Sequence, residues 1–294
     1  MAEPTQPTAT TIITEAYRRW ANITPTAGQI TTATSEAIEK VKRDIWIKGK
    51  KWRSLITTRF DITRAGVSRV SNPTDFETSY DMTLFDGPSR STLQTAATGT
   101  ATLASSESIV QGDAEGAMLI ITSGTGVNQG RQIDDYNAST KVATMAQNWT
   151  TTPAAGDGYL IGLYSYEVNK RDIQTRDRYR LQGLKDRPLE YFPLGSGSEG
   201  YYELSPTPDK VYGIMRRYYA NLLRVDLSAS IYNVILRNWA GILTQGVYVW
   251  LLSGESDRRY REQEAIYQAM LRELAARELE FHSDNSNLQA RITD

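Results

Sequence analysis

No cysteine occurs anywhere in the 294 residues. That absence excludes a disulfide framework, thiolate metal sites and a cysteine nucleophile. Histidine is nearly as scarce: His282 stands alone, which leaves little for metal ligation or for proton transfer near neutral pH. Neither sign of charge is in excess. Lysine and arginine total 33 against 34 acids, a formal net charge of −1, so bulk electrostatics favours neither nucleic acid nor an anionic membrane. Met1 to Thr10 brings neither a basic stretch nor an apolar one, so no secretory signal is read and folding in a reducing cytoplasm is expected. Long apolar runs are also missing. Ile231 to Leu252 approaches bilayer-spanning length, but Asn233, Arg237, Asn238, Thr244 and Gln245 interrupt it. A buried helix, and no membrane partner, is the expectation.

What is present suits a globular protein. Hydrophobic residues at 40% and charged residues at 23% allow a core and argue against wholesale disorder. The length fits one large domain or two modest ones. Seventeen tyrosines and six tryptophans supply side chains favoured in packed interfaces and in cores alike.

Hydrophobic periodicity organises the chain. Thr11 to Trp20 spaces Ile12, Ala16 and Trp20 as a helix does. A second helix is expected from a Thr34 or Ser35 cap to about Trp52, with Ile38, Val41, Ile45 and Trp52 on one stripe. Its polar side is basic: Lys40, Lys42, Arg43, Lys48, Lys50, Lys51 and Arg53 against Asp44. Short strands are expected between Leu55 and Leu84. From Ser91 to Ser165 glycine, alanine, threonine and serine dominate, and short β runs alternate with turns, the pattern of a small barrel or sandwich. Two cations there (Arg131, Lys141) face six acids (Glu107, Asp113, Glu115, Asp134, Asp135, Asp157), leaving this segment at −4 and the remainder of the chain at +3. Tyr202 to Tyr219 reads as a β-hairpin turning on Ser205 to Asp209. Two long helices follow, Ile231–Leu252 and Glu255–Phe281, expected as an antiparallel pair.

The expected fold is therefore α+β: a helical bundle of the N-terminal helix pair and two long C-terminal helices, with a β-hairpin section and an inserted small all-β domain. The helical core takes residues 1–90 and 166–294, the insert 91–165, and 283–294 is a flexible tail.

Few residues nominate themselves for chemistry. Gly195 to Gly200 satisfies G-x-G-x-x-G, but a strand-like stretch follows where a phosphate site needs a helix N-terminus, so a hairpin loop is expected. Asp134 and Asp135 lack a flanking ligand series, and neighbours on a strand point to opposite faces, so a solvated turn is expected. His282 near a helix C-terminus is favoured by the helix dipole. No enzymatic activity, metal or cofactor is expected. The basic residues Lys40 to Arg53 have two readings, a solvated face or a surface that meets DNA phosphates or a neighbouring subunit.

The order of these elements resembles the head-to-tail adaptor (connector) proteins of tailed phages, short-tailed phages in particular. The stretch Tyr-x-Leu-x-Pro-x-Pro-Asp to Tyr-Tyr, Tyr202 to Tyr219, carries most of the likeness, and Ala101 to Tyr159 is similar to a small β module of phage virion proteins. The resemblance implies a structural virion protein assembled in the host bacterial cytoplasm and placed at the tail–head junction. It implies a ring of copies of itself, twelve in number. The ring would sit beneath the portal protein, present a platform to the tail nozzle or tube and to tail fibres, and let DNA pass nonspecifically during ejection. Relatives reach the portal with their C-terminal helix and tail, here Glu255 to Asp294, where Leu279, Phe281, Leu288 and Ile292 are the candidate contacts. The alternative is a receptor- or carbohydrate-binding tail protein in which Trp149 and Tyr136 of the insert stack on sugars.

Overall fold

The computed structural model describes residues 7–49, 52–87, 89–172, 174, 184–195, 199–225, 233–255 and 257–292; of these, the side chains of Arg53, Ser89, Arg237 and residues 233–235 and 278–292 lie outside the description. The chain divides into two compact units, Met1–Ile56 with Tyr219–Asp294, and Thr57–Tyr218.

The first unit is helical. Helix α1 (Ala9–Ala21) starts on a capping box between Thr8 and Thr11 and ends on Asn22, whose φ of 54° is left-handed. A second capping box, Thr26 with Gln29, opens α2 (Ala27–Ala33). One π-turn, Thr34–Ile38, joins α2 to α3 (Glu39–Lys48), so Thr34 lies inside a continuous helical stretch and caps nothing. The inward stripe of that stretch is apolar: Ile38, Val41, Ile45 and, beyond it, Trp52 are all buried. Trp52 meets Trp239 edge to face at 6.2 Å.

Trp239 belongs to α5 (Asn233–Gly254), which is followed by α6 (Tyr260–Ile292). Their contacts give an antiparallel hairpin, because Gln245 bonds Gln263 while a Cβ on Gly241 would meet Met270. Helix α1 packs along α5. Gly246 marks the tightest crossing: a Cβ there would overlap Val41 of α3 and lie 3.1 Å from Tyr267 of α6. With Gly241 opposite Met270, Asn233 falls opposite about residue 278, so at 1.5 Å per residue the end of α6 runs about 21 Å past the first described residue of α5. That end takes in residues 283–292.

Among its described residues the second unit is mostly β, and it overturns the expected fold class. Among the described residues the chain has four sheets, not one hairpin and a small insert on a helical bundle. The first sheet orders β1 (Ile56–Ile62), β17 (Gly213–Ala220), β3 (Phe76–Asp86) and β11 (Tyr164–Glu167) as β1-β17-β3-β11. A second four-stranded sheet runs β12-β14-β15-β2, from Asn169–Lys170, Glu190–Leu194, Tyr201–Ser205 and Arg69–Ser71. A two-stranded parallel pair joins β13 (Lys185–Asp186) to β16 (Thr207–Pro208).

These pairings also correct the expected hairpin at Tyr202 to Tyr219. Strand β15 pairs antiparallel with β14 across Gly195–Gly200, whereas β17 joins β1 and β3 in the other sheet. The proline-rich stretch between β15 and β17 is a crossover. Alternation identified both strands but carries no information on their partners.

The largest sheet orders β4 (Ser89–Thr92), β10 (Gly158–Gly162), β7 (Met118–Ile121), β8 (Gly130–Asn137), β9 (Val142–Met145), β6 (Thr100–Thr102) and β5 (Thr95–Ala97). Its edge strands, β4 and β5, are separated in sequence only by Leu93 and Gln94. Two residues cannot bridge opposite edges of a flat seven-stranded sheet, so the sheet closes into a barrel. Its core includes Leu103, Leu119, Ile133, Tyr136, Trp149 and Tyr159, and the short helix α4 (Gln111–Ala114) lies against β8. The barrel strands run from Ser89 to Gly162, inside the larger unit. Entry and exit are adjacent: Asp86 pairs with Tyr164 at the end of the β3–β11 ladder, and Ser89 with Ile161 at the start of β4–β10. Phe60, Phe85, Ile120 and Leu160 form a separate apolar cluster joining barrel strands to the β1–β17–β3 sheet.

Candidate interaction surfaces

The seven basic residues do not form one free face. Lys42 turns inward: 3% exposed, it donates to Glu39 (2.6 Å) and to the Val225 carbonyl (3.0 Å), tying α3 to the segment after β17. A buried ammonium with two acceptors is a structural strut. Lys40 bonds Asp44 at 2.8 Å, and the same carboxylate accepts the Tyr267 hydroxyl at 3.1 Å. Burial, then the negative charge of Asp44, raises the Tyr267 phenol well above its ordinary pKa. Arg43 and Lys48 are exposed and form no ion pair among the described residues. Lys50, Lys51 and the Arg53 side chain lie outside the described residues. The inward turn of Lys42 was legible, since it adjoins Val41 on the Ile38–Ile45 side of the helix.

Leu279, Phe281, Leu288 and Ile292 fall on α6, with side chains outside the described ones, as is that of His282. The helical backbone sets Phe281, Leu288 and Ile292 at i, i+7 and i+11, one line along the helix, and Leu279 off that line. His282 stands ten residues before the helix end, too far for a dipole contact with the last turn.

On the barrel, the residues proposed to stack on sugars are inside. Tyr136 is fully buried and Trp149 is 4% exposed, so neither offers a ring face to a ligand. The cause is a β-bulge between Ile133 and Asp135. Strict alternation from Ile133 would send Tyr136 outward; the extra residue brings it back to the core and leaves both Asp134 and Asp135 exposed on the strand. Burial, then the charge of Glu107, raises the Tyr136 phenol pKa. Glu107 is itself occupied, accepting the Tyr159 hydroxyl (2.8 Å) and the Ser108 amide (3.1 Å).

An open cleft of about 390 Å³ lies beside these groups, lined by Ile109, Val110, Leu163, Asp113, Arg90, Glu107 and three serines, Ser91, Ser106 and Ser108. Next to it α4 and β8 carry exposed acids. Glu115 and Asp134 flank the bond from the Gly116 amide to the Ile133 carbonyl (2.8 Å), with Asp113 and Asp135 beyond them.

The rest of the second unit hides its polar chemistry. Between the two four-stranded sheets Arg216, 1% exposed, pairs with Asp61, donates to the Ser71 carbonyl (2.9 Å) and stacks 5.0 Å from the Tyr202 ring. Tyr191 lies against Tyr202 at 5.6 Å and shares a hydrogen bond with Ser79. Burial pushes the Tyr191 phenol up to about 12. Sequence reasoning missed this cluster, because Asp61 and Arg216 are far apart in sequence and each sits in an ordinary alternating strand.

Gly195 has a φ of 73° and leads the β14–β15 turn, and residues 196–198 lie outside the described ones. Among the described residues no group of three His, Asp or Glu converges to hold a metal, and no helix is long and apolar enough to cross a membrane. No protein-family model matches the chain, and no curated protein matches it significantly.

Proposed function

We propose that this chain is a structural assembly protein, a head-to-tail adaptor of a tailed phage. Copies form a ring that docks on the portal protein and receives the tail nozzle or tube, with tail fibres as further partners, at the tail–head junction of the virion. The observation that carries the reading is the α5–α6 hairpin, whose second helix outruns the described part of the first by about 21 Å and carries Phe281, Leu288 and Ile292 on one line. A helix that continues past its neighbour, with apolar residues at i, i+7 and i+11, is a docking element for a groove on another protein. The resemblance of the element order to phage adaptors supplies the identity of that protein.

The carbohydrate-binding alternative loses its motivation, since Trp149 and Tyr136 are core residues. The DNA-facing reading narrows to Arg43 and Lys48 among the described cations.

Electron microscopy of the purified chain, alone and mixed with portal, tests the reading; rings are expected. Removing 283–294 is expected to weaken portal attachment by on the order of tenfold or more while thermal stability holds. A strict monomer that never joins a portal overturns the proposal, and a truncated chain that attaches as well as the full one overturns the role of α6.

A further inference from the structure

Ile47 is 78% exposed, the most exposed large hydrophobic side chain among the described residues. It projects from the outward side of α3, one turn after Arg43 and next to Lys48, opposite the buried Val41 and Ile45. Within the barrel, the cleft beside α4 has the opposite character. Its lining is polar over most of its area, with Ile109, Val110 and Leu163 as the apolar part and Val110 57% exposed, and Asp113 belongs to it. Its single cation, Arg90, stands against two carboxylates, Asp113 and Glu107, so the cleft carries a formal charge of −1. More negative charge lies on its flank, at Glu115, Asp134 and Asp135.

We propose that Ile47 of one copy seats in this cleft of a second copy, with Arg43 and Lys48 set against the acidic flank. This deepens the assembly reading and rests on it, naming the surfaces through which copies meet. Repeated from copy to copy without reciprocation, such a knob-to-socket contact is the head-to-tail kind from which rings are built. Apolar burial supplies residence time, and the opposed charges supply encounter rate and register. An isolated aliphatic between two cations fits a protein socket better than a phosphate backbone, which has no use for Ile47.

The test uses the full chain in four forms: wild type, Arg43→Glu/Lys48→Glu, Asp113→Lys/Glu115→Lys, and Ile47→Ser. All five substituted side chains are exposed, so far-UV circular dichroism and melting are expected to match wild type. Sedimentation velocity over a concentration series, with portal present and absent, reads association. Each double variant alone is expected to associate on the order of tenfold or more weakly than wild type, because like charges then face each other. An equal mixture of the two restores association, since each knob then meets a socket of opposite sign. Ile47→Ser weakens association without changing its salt dependence.

A wild-type chain that is monomeric throughout, with portal or without, overturns the assembly reading and this contact with it. Wild-type rings together with equally good rings from Arg43→Glu/Lys48→Glu overturn this contact alone, as does a mixture that fails to restore association. Duplex DNA binding that disappears in Arg43→Glu/Lys48→Glu while self-association persists assigns these cations to DNA and also overturns it.

Discussion

Alanine at Gly246 tests the helical unit at its tightest point. In an open helix the change stabilises, by about 1 kcal/mol, through backbone entropy. Here the new methyl would overlap Val41 and lie 3.1 Å from the Tyr267 ring. Val41 is 1% exposed and Tyr267 is fully buried, and the Tyr267 hydroxyl is fixed to Asp44, so neither neighbour withdraws freely. Overpacking of this kind costs about 1–3 kcal/mol. With both neighbours held, the upper end of that range applies, and the two terms leave a net loss of about 2 kcal/mol for Gly246→Ala. Val41→Ala removes the obstructing methyl and, alone, leaves a cavity costing about 1–2.5 kcal/mol. Together they compensate, since the new methyl occupies part of that cavity, and the double variant is expected to be at least about 1 kcal/mol more stable than the sum predicts. Urea unfolding of the four chains supplies the cycle. A Gly246→Ala chain as stable as wild type, or effects that add within about 0.3–0.5 kcal/mol, would refute the packing argument.

Lys42→Ala, which strands the Val225 carbonyl, is expected to cost about 2–3 kcal/mol in urea unfolding, whereas Lys48→Ala stays within about 0.5 kcal/mol; equal effects would contradict the inward placement of Lys42. Arg216→Met leaves Asp61 without its buried partner and is expected to lose about 3 kcal/mol; adding Asp61→Asn recovers part of that, and a single variant as stable as wild type would count against the ion pair. Burial raises the Tyr191 phenol from 10.0 to about 12, so the folded chain holds this proton more tightly than the unfolded one. Its contribution is complete below pH 10 and is lost as pH climbs toward 12. Melting temperatures are therefore expected to fall over that interval, less steeply in Tyr191→Phe; identical slopes would exclude Tyr191 as a contributor.

Local order was legible where one period governs a segment. The stripe Ile38, Val41, Ile45 and Trp52 is buried throughout, and Gly254 ends α5 in the gap expected between the two long helices. Failures arose where a non-local term decides. Strand alternation at Tyr202–Leu204 and Ile214–Tyr218 cannot say that β15 and β17 belong to different sheets, and the fold class was misjudged with them. The bulge at Ile133/Asp135 inverted the expected exposure of Tyr136. The candidate surfaces fared similarly. Counting cations between Lys40 and Arg53 overstated the basic face, because one of them, Lys42, satisfies a backbone carbonyl more than 180 residues away.

The way the barrel is mounted has a consequence for how such a chain can change. Its two connecting strands leave the host sheet side by side and continue the same ladder, from Asp86 opposite Tyr164 to Ser89 opposite Ile161. For the host, the whole module therefore stands in place of a hairpin turn, and the strands beneath it keep their register whatever is mounted above. Gly87, where an added Cβ would overlap the Ile161 carbonyl, is the doorway. Exchange of the module for a two-residue turn would leave Phe60 and Phe85 uncovered, so the graft is topologically free but not without a seam. Capacity for new surface partners is thereby separated from the helical scaffold, and each can vary without refolding the other.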